Sequence, residues 1–345
     1  MSPSTLINRK TEVARLNRIA TASEAALVAI YGRTGVGKTF LIEQSFKNLG
    51  YFFKLTGTQQ SLKTQLMHFR EAFADTFHAG HIQPAPKSWQ EAFYQLRKAV
   101  ESLDPEKKII LFFDELPWLA TPRSQFLSSL EHIWNRYFSR QKNVIVIVCG
   151  SAAAWMLKKI IYNKGGLYGR LTAEIHLKPF TLGETESYLQ SQGVFLDKKQ
   201  IIELYLAFGG VAKYLSDIPK GQSSAQIIAQ TCFNPTGFFP LEFPKLYESL
   251  FEKPKVYMDI VTALAEKKSG LSQGALLKKI KMQSGGNFTQ ILKELEVSGF
   301  IASVTEFGNK KKHTLYRLID EYSLFYLTWI QPALPTPIFQ GSCRL

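Results

Sequence analysis

The sequence is poor in cysteine and has no long apolar run. Its 345 residues include three cysteines, Cys149, Cys232 and Cys343, and none of them belongs to a C-x-x-C pair. An odd, sparse set argues against a disulfide framework and a zinc site, and it fits a reducing compartment. The apolar runs at 109–113 and 144–149 are strand-sized, far short of the roughly 20 residues that span a bilayer. We therefore expect a cytoplasmic protein with no membrane span and no signal peptide.

Acidic residues are also scarce. There are 28 Asp and Glu against 42 Lys and Arg, which gives a formal net charge of +14. Residues 1–180 hold 24 basic and 13 acidic side chains, whereas residues 181–250 hold 5 and 7. This balance fits either a polyanionic partner or a solvated basic surface. With 45% hydrophobic and 20% charged residues, the chain is predicted to be globular, with two or three domains.

A complete phosphate-binding loop of the form G-x-x-x-x-G-K-T occupies residues 32–39. An apolar run at 25–31 precedes it and a helix-like stretch at 40–46 follows it, which is the strand–loop–helix setting that such a loop requires. Lys38 is predicted to reach the β- and γ-phosphates, and Thr39 to place its hydroxyl on Mg²⁺. The predicted nucleotide contacts in this region are Gly32, Arg33, Thr34, Gly35, Val36, Gly37, Lys38, Thr39 and Phe40.

An acidic pair ends the next strongly apolar run, as in a Walker B segment. Asp114 and Glu115 follow 109–113 directly. Asp114 is predicted to hold Mg²⁺ through water, and Glu115 to polarise the attacking water near the γ-phosphate. Ser151 ends the following apolar run, at the sheet edge where open parallel sheets bind ligands. It is interpreted either as a residue that senses the γ-phosphate and orients water, or as an ordinary turn serine.

Two arginines are further candidates. Arg170 follows the glycine-rich segment 165–169. Its guanidinium either stabilises charge on the transferring phosphoryl group, in cis or across a subunit boundary, or is a plain surface group. Arg9 precedes a helical stretch. Its apolar neighbour Ile7 is predicted to line one side of the pocket for the nucleotide base. Capping of that helix by Asn8 is the alternative interpretation of this segment.

The patterning divides the chain into three regions and a tail. Residues 1–180 alternate strand and helix patterns, which predicts an α/β domain with a parallel sheet. Residues 181–250 predict a small helical lid, and residues 251–325 predict three helices with a basic-tipped hairpin, a winged helix-turn-helix. Residues 326–345 are expected to form a loose tail. The predicted strands of the sheet are 25–31, 51–56, 109–113, 144–149 and 174–177.

Six motifs form a specific combination over about residues 5–330. They are N-R-K-T-E at 8–12, the phosphate loop, D-E-L-P-W-L at 114–119, C-G-S at 149–151 with Trp155, N-K-G-G-L-Y-G-R at 163–170 and P-F-T-L-G-E at 179–184. Together they resemble the STAND-type AAA+ ATPases of bacteria and archaea, closest to the archaeal-type group related to the MNS clade. The resemblance implies ATP or ADP with Mg²⁺ as ligands, and adenine as the base. It also implies a P-loop sheet of order 5-1-4-3-2, a helical lid and a winged helix.

Two features depart from that family. Its lid usually carries a proline in a G-G-x-P-x-Y-L motif, whereas this chain has Ala212 within the corresponding segment 209–215. This departure bears on how tightly the lid would close on the base. Relatives often continue into a nuclease-like domain, whereas this sequence stops at Leu345. Either that domain is absent or the chain is truncated before it, and a nuclease function is therefore not supported by this sequence.

The predicted recognition helix at 288–298 is a poor match for nucleic acid, because its net charge is −1. Lys278, Lys279, Lys281 and the wing at 310–312 are better phosphate contacts. We therefore expect internal or protein contacts more than DNA contacts. The leading hypothesis is an ATP-driven switch that exposes a surface for a protein partner or for self-assembly. The alternatives are a DNA-binding protein with a regulatory ATPase, and a non-hydrolysing nucleotide-binding scaffold.

Overall fold

The computed structural model describes residues 6–77, 84–162, 165, 167, 169–234, 237–283, 285–305 and 314–334. By its contacts the chain divides into two compact units, residues 1–178 and 179–345. The predicted wing at 310–312 and four positions of the glycine-rich motif, 163, 164, 166 and 168, lie outside the described residues.

A parallel sheet forms the centre of the first unit. Its strands are β1 Ala26–Tyr31, β2 Gly50–Thr56, β3 Lys108–Asp114, β4 Val144–Gly150 and β5 Ala173–His176. They pair in the order β2-β3-β4-β1-β5, which confirms the predicted order 5-1-4-3-2. β4 is buried along its whole length between β1 and β3. Such continuous apolar strands are typical of a sheet covered on both faces.

Helices cover this sheet, and their placement follows from where their apolar residues lie. Ile42 and Phe46 pack with Val28, Ile30 and Leu16 in one cluster on one face of the sheet. This packing fixes the helix that follows the phosphate loop against β1. The helices of the first unit are α1 Lys10–Thr21, α2 Lys38–Phe46, α3 Leu62–Phe77, α4 Trp89–Ser102, α5 Leu116–Leu119, α6 Phe126–Arg136 and α7 Ala153–Met156, with a 3₁₀ turn at Phe138–Arg140 and a π-helical turn at Leu157–Ile161.

The second unit begins with five helices, three of which carry side-chain N-terminal caps. Thr181 and Ser223 each form a capping box with the residue three positions later, Glu184 and Gln226, so the chain signals these starts locally. These helices are α8 Leu182–Ser191, α9 Lys198–Phe208, α10 Ala212–Ser216, α11 Ser224–Cys232 and α12 Phe238–Leu250.

Three more helices and an antiparallel sheet follow along the chain. Ser272 caps α14 by accepting a hydrogen bond from the backbone N–H of Ala275. The elements are α13 Pro254–Ala265, β6 Leu271–Ser272, α14 Gln273–Lys279, α15 Gly286–Val297, β7 Ile301–Thr305 and β8 Thr314–Leu318, with strand order β6-β8-β7.

The predicted loose tail is wrong at its start. Residues 321–333 are helical as α16 Glu321–Phe325, a π-helical turn Tyr326–Ile330 and α17 Gln331–Ala333. Tyr326 and Ile330 are buried in the same hydrophobic cluster that includes Phe208 and Phe243. Aromatic burial therefore orders this segment, and Pro332 lies in the first turn of α17, a position that tolerates proline. Residues 335–345 lie outside the described part of the chain.

Candidate nucleotide site

The phosphate loop turns sharply between β1 and α2, and glycine is needed at both of its ends. Gly32 has φ of 150°, and a Cβ there would lie 2.1 Å from the Leu177 carbonyl oxygen. Gly37 has φ of 92° and is the N-terminal cap residue of α2. Such positive φ angles are costly for residues with a side chain. The loop therefore delivers the start of α2, with its free backbone N–H groups, to the carboxyl end of β1.

Lys38 is held inside the loop by its ammonium group. Its side chain is buried, and Nζ donates to the carbonyl oxygens of Gly32 at 2.8 Å and Arg33 at 3.0 Å. Nζ also donates to Ser151 Oγ at 3.0 Å. The cation thus lies among oxygen acceptors at the carboxyl edge of the sheet, where an anionic phosphate would compete for it.

Thr39 and Asp114 form the second pair of the site. Thr39 Oγ1 donates to Asp114 Oδ2 at 2.7 Å, which joins the start of α2 to the end of β3. The Asp114 side chain is buried, and its Oδ1 accepts from the backbone N–H of Glu115 at 3.0 Å. The pair brings two hard oxygen donors together beside the phosphate loop. Metal ions such as Mg²⁺ prefer such donors.

Glu115 is fixed in an unusual backbone conformation. Its φ and ψ are 47° and 50°, in the left-handed region that residues with side chains rarely occupy. Its carboxylate accepts from Ser151 twice, from Oγ at 2.5 Å and from the backbone N–H at 3.3 Å. The end of β4 therefore orients the carboxylate that follows β3, as neighbouring parallel strands allow.

Cys149 lies beneath these groups on β4. Burial raises the pKa of its thiol well above the usual range, and the neighbouring carboxylate of Asp114 adds to the effect. The thiol therefore stays protonated near neutral pH and is unsuited to act as a nucleophile.

The segment predicted to bind the base contacts the phosphate loop through Arg9. Arg9 is buried, and its Nη2 donates to the Val36 carbonyl oxygen at 3.4 Å, so this arginine contacts the phosphate loop. Arg9 itself is the cap residue of α1, without a side-chain capping bond, so the interpretation of Asn8 as the cap is wrong. Ile7 is half-buried ahead of it, and Phe40 is exposed on the first turn of α2.

The remaining predicted residues separate into two groups. Arg33 and Val36 are buried in the loop, while Thr34, Gly35 and Gly37 are half-buried. Arg170 instead lies in an exposed turn just ahead of β5, where its backbone N–H donates to the Leu167 carbonyl oxygen at 3.0 Å. Among the described residues, no hydrogen bond or ion pair joins its guanidinium to the phosphate loop.

One residue of the site was missed by sequence reasoning. Gln65, in the first turn of α3, is buried and donates from Nε2 to the Trp118 carbonyl oxygen at 2.7 Å. The turn that it contacts begins at Glu115. A buried glutamine on a helix has no local signal, because the helical pattern alone gives it no partner.

The sheet order, the phosphate loop and the acidic pair at the end of β3 define the class of P-loop nucleotide-binding ATPases. The chain matches the ATPase domain family found predominantly in Archaea over residues 6–218, and it belongs to that family.

Comparison with known proteins adds a relative in sequence and solved structures of similar fold. The chain is 25% identical over 336 residues to an uncharacterized protein of Methanocaldococcus jannaschii, covering 95% of this chain and 69% of that one. It is similar in fold to the Walker-type ATPase of Pyrococcus abyssi, with a TM-score of 0.62, 18% identity and coverage of 93% and 96%. The Aeropyrum pernix ORC2 protein, in ADPNP–ADP complexes, gives a TM-score of 0.56, 14% identity and coverage of 96% and 95%.

Two features are absent from the described residues, a metal-binding cluster and a membrane-spanning helix. Within the described ranges, no cluster of three or more His, Cys, Asp and Glu side chains is arranged to hold a metal ion by itself. Across the same residues, every helix is too short or too polar to cross a membrane.

Proposed function

We propose that this protein is an ATP-binding and ATP-hydrolysing molecular switch of the STAND/AAA+ type. One observation carries the proposal. Ser151 links the ammonium of Lys38 to the carboxylate of Glu115, beside the hydroxyl–carboxylate pair of Thr39 and Asp114. The carboxyl edge of one sheet therefore brings together three kinds of group. They are a cation that can bind phosphate, oxygen donors that can bind a metal ion and a carboxylate that can orient water.

Nucleotide binding would use the loop and the segment before α1. The backbone N–H groups at the start of α2 and the Lys38 ammonium would hold the phosphates of ATP or ADP. Arg9, which contacts the loop at Val36, and Ile7 would flank the base. Phe40 is exposed on the first turn of α2, on the surface that the bound nucleotide would face.

The residues present fit Mg²⁺. Thr39 Oγ1 and Asp114 would hold the ion directly or through water, with phosphate oxygens and water completing its shell. Because this ion needs only one or two protein ligands in such sites, the absence of a larger acidic cluster among the described residues agrees with it. When bound, Mg²⁺ would neutralise negative charge on the phosphates.

Glu115 would act as the general base that orients and polarises the attacking water. Ser151 holds the carboxylate through two hydrogen bonds and thereby sets its direction. Arg170, exposed ahead of β5, would stabilise the transferring phosphoryl group after a rearrangement or from a neighbouring subunit.

The second unit would report the nucleotide state. Residues 181–250 would serve as the helical lid, and residues 251–325 as a winged helix-turn-helix, a role supported by three helices with an antiparallel sheet of order β6-β8-β7. Their position would change with the γ-phosphate and expose a surface for a protein partner or self-assembly in the cytoplasm. Ala212, which begins α10, lacks the rigidity of the proline that the family resemblance implies at this position.

The experiment is a paired test of binding and turnover. Lys38→Ala should abolish nucleotide binding, whereas Glu115→Gln should bind nucleotide and stop turnover. Nucleotide affinity by titration calorimetry and phosphate release with Mg²⁺ would be measured on the same preparations. Normal turnover by Glu115→Gln would show that Glu115 is not the base. Failure of the wild-type protein to hydrolyse ATP would favour the non-hydrolysing scaffold.

A further inference from the structure

The turn that carries Glu115 is held from several sides. Its backbone at Glu115 is left-handed, with φ of 47°, and a conformation of that kind persists only when its surroundings determine it. A Cβ added at Gly57 would lie 2.5 Å from the Glu115 carbonyl oxygen, and one added at Gly150 would lie 3.0 Å from Pro117 Cδ. The loop after β2 and the end of β4 therefore approach this turn closely at glycine positions.

Gln65 supplies a side-chain contact to the same turn. Gln65 is only 3% exposed and lies on the first turn of α3. Its backbone N–H donates to the Ser61 carbonyl oxygen at 3.0 Å, which fixes the start of this helix. Nε2 donates to the Trp118 carbonyl oxygen at 2.7 Å, and Oε1 accepts from the Thr58 N–H at 3.5 Å. One buried amide thus spans the loop after β2 and the turn after β3.

The contact reaches Glu115 through the backbone. The Trp118 N–H donates to the Glu115 carbonyl oxygen at 3.0 Å, so the residue that Gln65 holds is itself bonded to the residue that carries the carboxylate. On the other side, the Gly57 N–H donates to the Asp114 carbonyl oxygen at 2.8 Å. The amide therefore closes a loop of hydrogen bonds around the acidic pair.

We propose that Gln65 is a positioning residue for ATP hydrolysis, which acts by holding the Glu115 turn in its left-handed conformation. This inference rests on the proposed role of Glu115 as the base. Gln65 would act through the backbone of the turn and not on the nucleotide. Its loss should therefore lower kcat while leaving nucleotide affinity nearly unchanged.

The chemistry of the contact requires an amide. Its nitrogen donates to a carbonyl and its oxygen accepts from an N–H, and an ionised carboxylate cannot donate. Gln65→Glu, which preserves the shape, should therefore break the bond to Trp118. Gln65→Leu should break both bonds. Phe69→Leu is a matched control, because Phe69 is buried one turn further along α3 and contacts Phe53 and Trp89 rather than the turn.

The experiment compares these three variants with wild type and Glu115→Gln. We expect Gln65→Leu and Gln65→Glu to lower kcat by about 10- to 100-fold, as for a displaced catalytic group, with less than threefold change in ATP affinity. Protonation would turn the introduced carboxyl group into a donor. Because burial raises the pKa of such a carboxyl group, the kcat of Gln65→Glu relative to wild type should rise as pH falls from 8 to 6, over a range in which circular dichroism shows the variant to be fully folded. Backbone amides of residues 116–120 should exchange hydrogen faster in Gln65→Leu than in Phe69→Leu.

The outcomes separate the two proposals. Turnover lost in Glu115→Gln but retained in both Gln65 variants would overturn the positioning role alone. Equal loss of kcat in Phe69→Leu and Gln65→Leu, with no pH-dependent recovery in Gln65→Glu, would also overturn it. Turnover retained in Glu115→Gln would overturn the proposed base, and the positioning role with it. Unchanged hydrogen exchange at 116–120 in Gln65→Leu would refute the contact independently of any activity.

Discussion

Ser151 joins Lys38 to Glu115 through a single hydroxyl. Ser151 Oγ accepts from Lys38 Nζ at 3.0 Å and donates to Glu115 Oε1 at 2.5 Å. The phosphate-binding cation and the carboxylate of the proposed base therefore share one partner. A phosphate that draws the ammonium away would change the hydrogen bonding of the carboxylate at the same time.

Replacing Ser151 with Ala tests that link. Glu115 would keep the backbone N–H at position 151 but lose its hydroxyl donor, so its carboxylate would be less well directed. We expect kcat to fall by about 10- to 100-fold, with ATP affinity changed less than threefold. Phosphate release and calorimetric titration would measure the two quantities. Ser129→Ala on α6 serves as a control that should behave like wild type, and unchanged kcat in Ser151→Ala would contradict the link.

Thr39→Val should shift the magnesium dependence of turnover. The substitution is close in shape, but it removes the hydroxyl that donates to Asp114 Oδ2. The Mg²⁺ concentration for half-maximal turnover should rise by about 10-fold or more, because both the ligand and the orientation of Asp114 are lost. Thr76→Val, which removes only a hydroxyl bonded within α3, should leave the magnesium titration unchanged. A wild-type titration curve in Thr39→Val would contradict the assignment.

His176 should make the folded protein less stable in mild acid. Its ring stacks on Tyr31 with a centroid distance of 4.7 Å. Burial lowers the pKa of His176 from its ordinary 6.5, and the charge of Lys178 adds to the effect. Just below pH 6.5, His176 therefore binds a proton more readily in the unfolded chain than in the folded protein. The stabilisation is complete above pH 6.5 and is lost as pH falls through the lower folded value.

His176→Phe should flatten this acid dependence while keeping an aromatic ring beside Tyr31. Chemical denaturation at pH 7.5, 6.5 and 5.5 would measure the free energy of unfolding. His132→Gln, at an exposed position on α6, should retain the wild-type slope. An identical slope in wild type and His176→Phe would show that this ring does not titrate as described.

Tyr322→Phe should destabilise the second unit. The Tyr322 side chain is fully buried, and its hydroxyl donates to the Phe239 carbonyl oxygen at 2.7 Å. Burial raises the pKa of Tyr322, so the phenol remains a donor at any ordinary pH. Removing it leaves a buried carbonyl without this bond, at a cost of about 1–2 kcal/mol. Denaturant titration would detect this loss, and Tyr94→Phe, at an exposed position, should show none.

Much of the fold was predictable because its signals are local. The three central strands of the parallel sheet, β3, β4 and β1, are built on continuous apolar runs, and several helices begin at capping residues such as Thr181 and Asp197. Helix α12 is the informative exception. Pro244 lies inside it and removes a backbone donor, which ordinarily ends a helix. Burial of Phe243 and Tyr247 on either side outweighs that cost, and sequence patterns do not show what those side chains will meet.

The candidate site was predictable in its residues but not in its connections. The motifs placed Asp114 and Glu115 at the end of one strand and Lys38 in the loop that follows another, and the sheet topology then brings these strand ends together. The bonds through Ser151 and the buried amide of Gln65 depend on backbone register and on distances between loops. No residue pattern encodes those distances, since the partners are separated by 36 and 53 positions.

Binding to DNA should be weak and governed by salt. Two polar side chains of α15 with the chemistry to contact bases already have partners, since Gln290 Nε2 donates to Glu294 Oε1 at 2.9 Å and Thr289 Oγ1 accepts from Gln273 at 3.1 Å. Glu294 also accepts from the Tyr257 hydroxyl, which fixes a negative charge on this helix. Duplex DNA would therefore be held by phosphate contacts alone, with dissociation constants of about 10⁻⁴ to 10⁻⁶ M at physiological salt.

Replacing Lys278, Lys279 and Lys281 together with Ala should reduce the slope of log affinity against log salt by up to about 2.7, the value for three lost phosphate contacts. Gln290→Ala should leave both affinity and slope unchanged, because its amide is engaged within the helix. Fluorescence anisotropy with a labelled duplex from 50 to 200 mM salt would measure both variants. Tight, salt-insensitive binding that is lost in Gln290→Ala would instead show that α15 reads bases, and the regulatory-ATPase hypothesis would then be favoured over the switch.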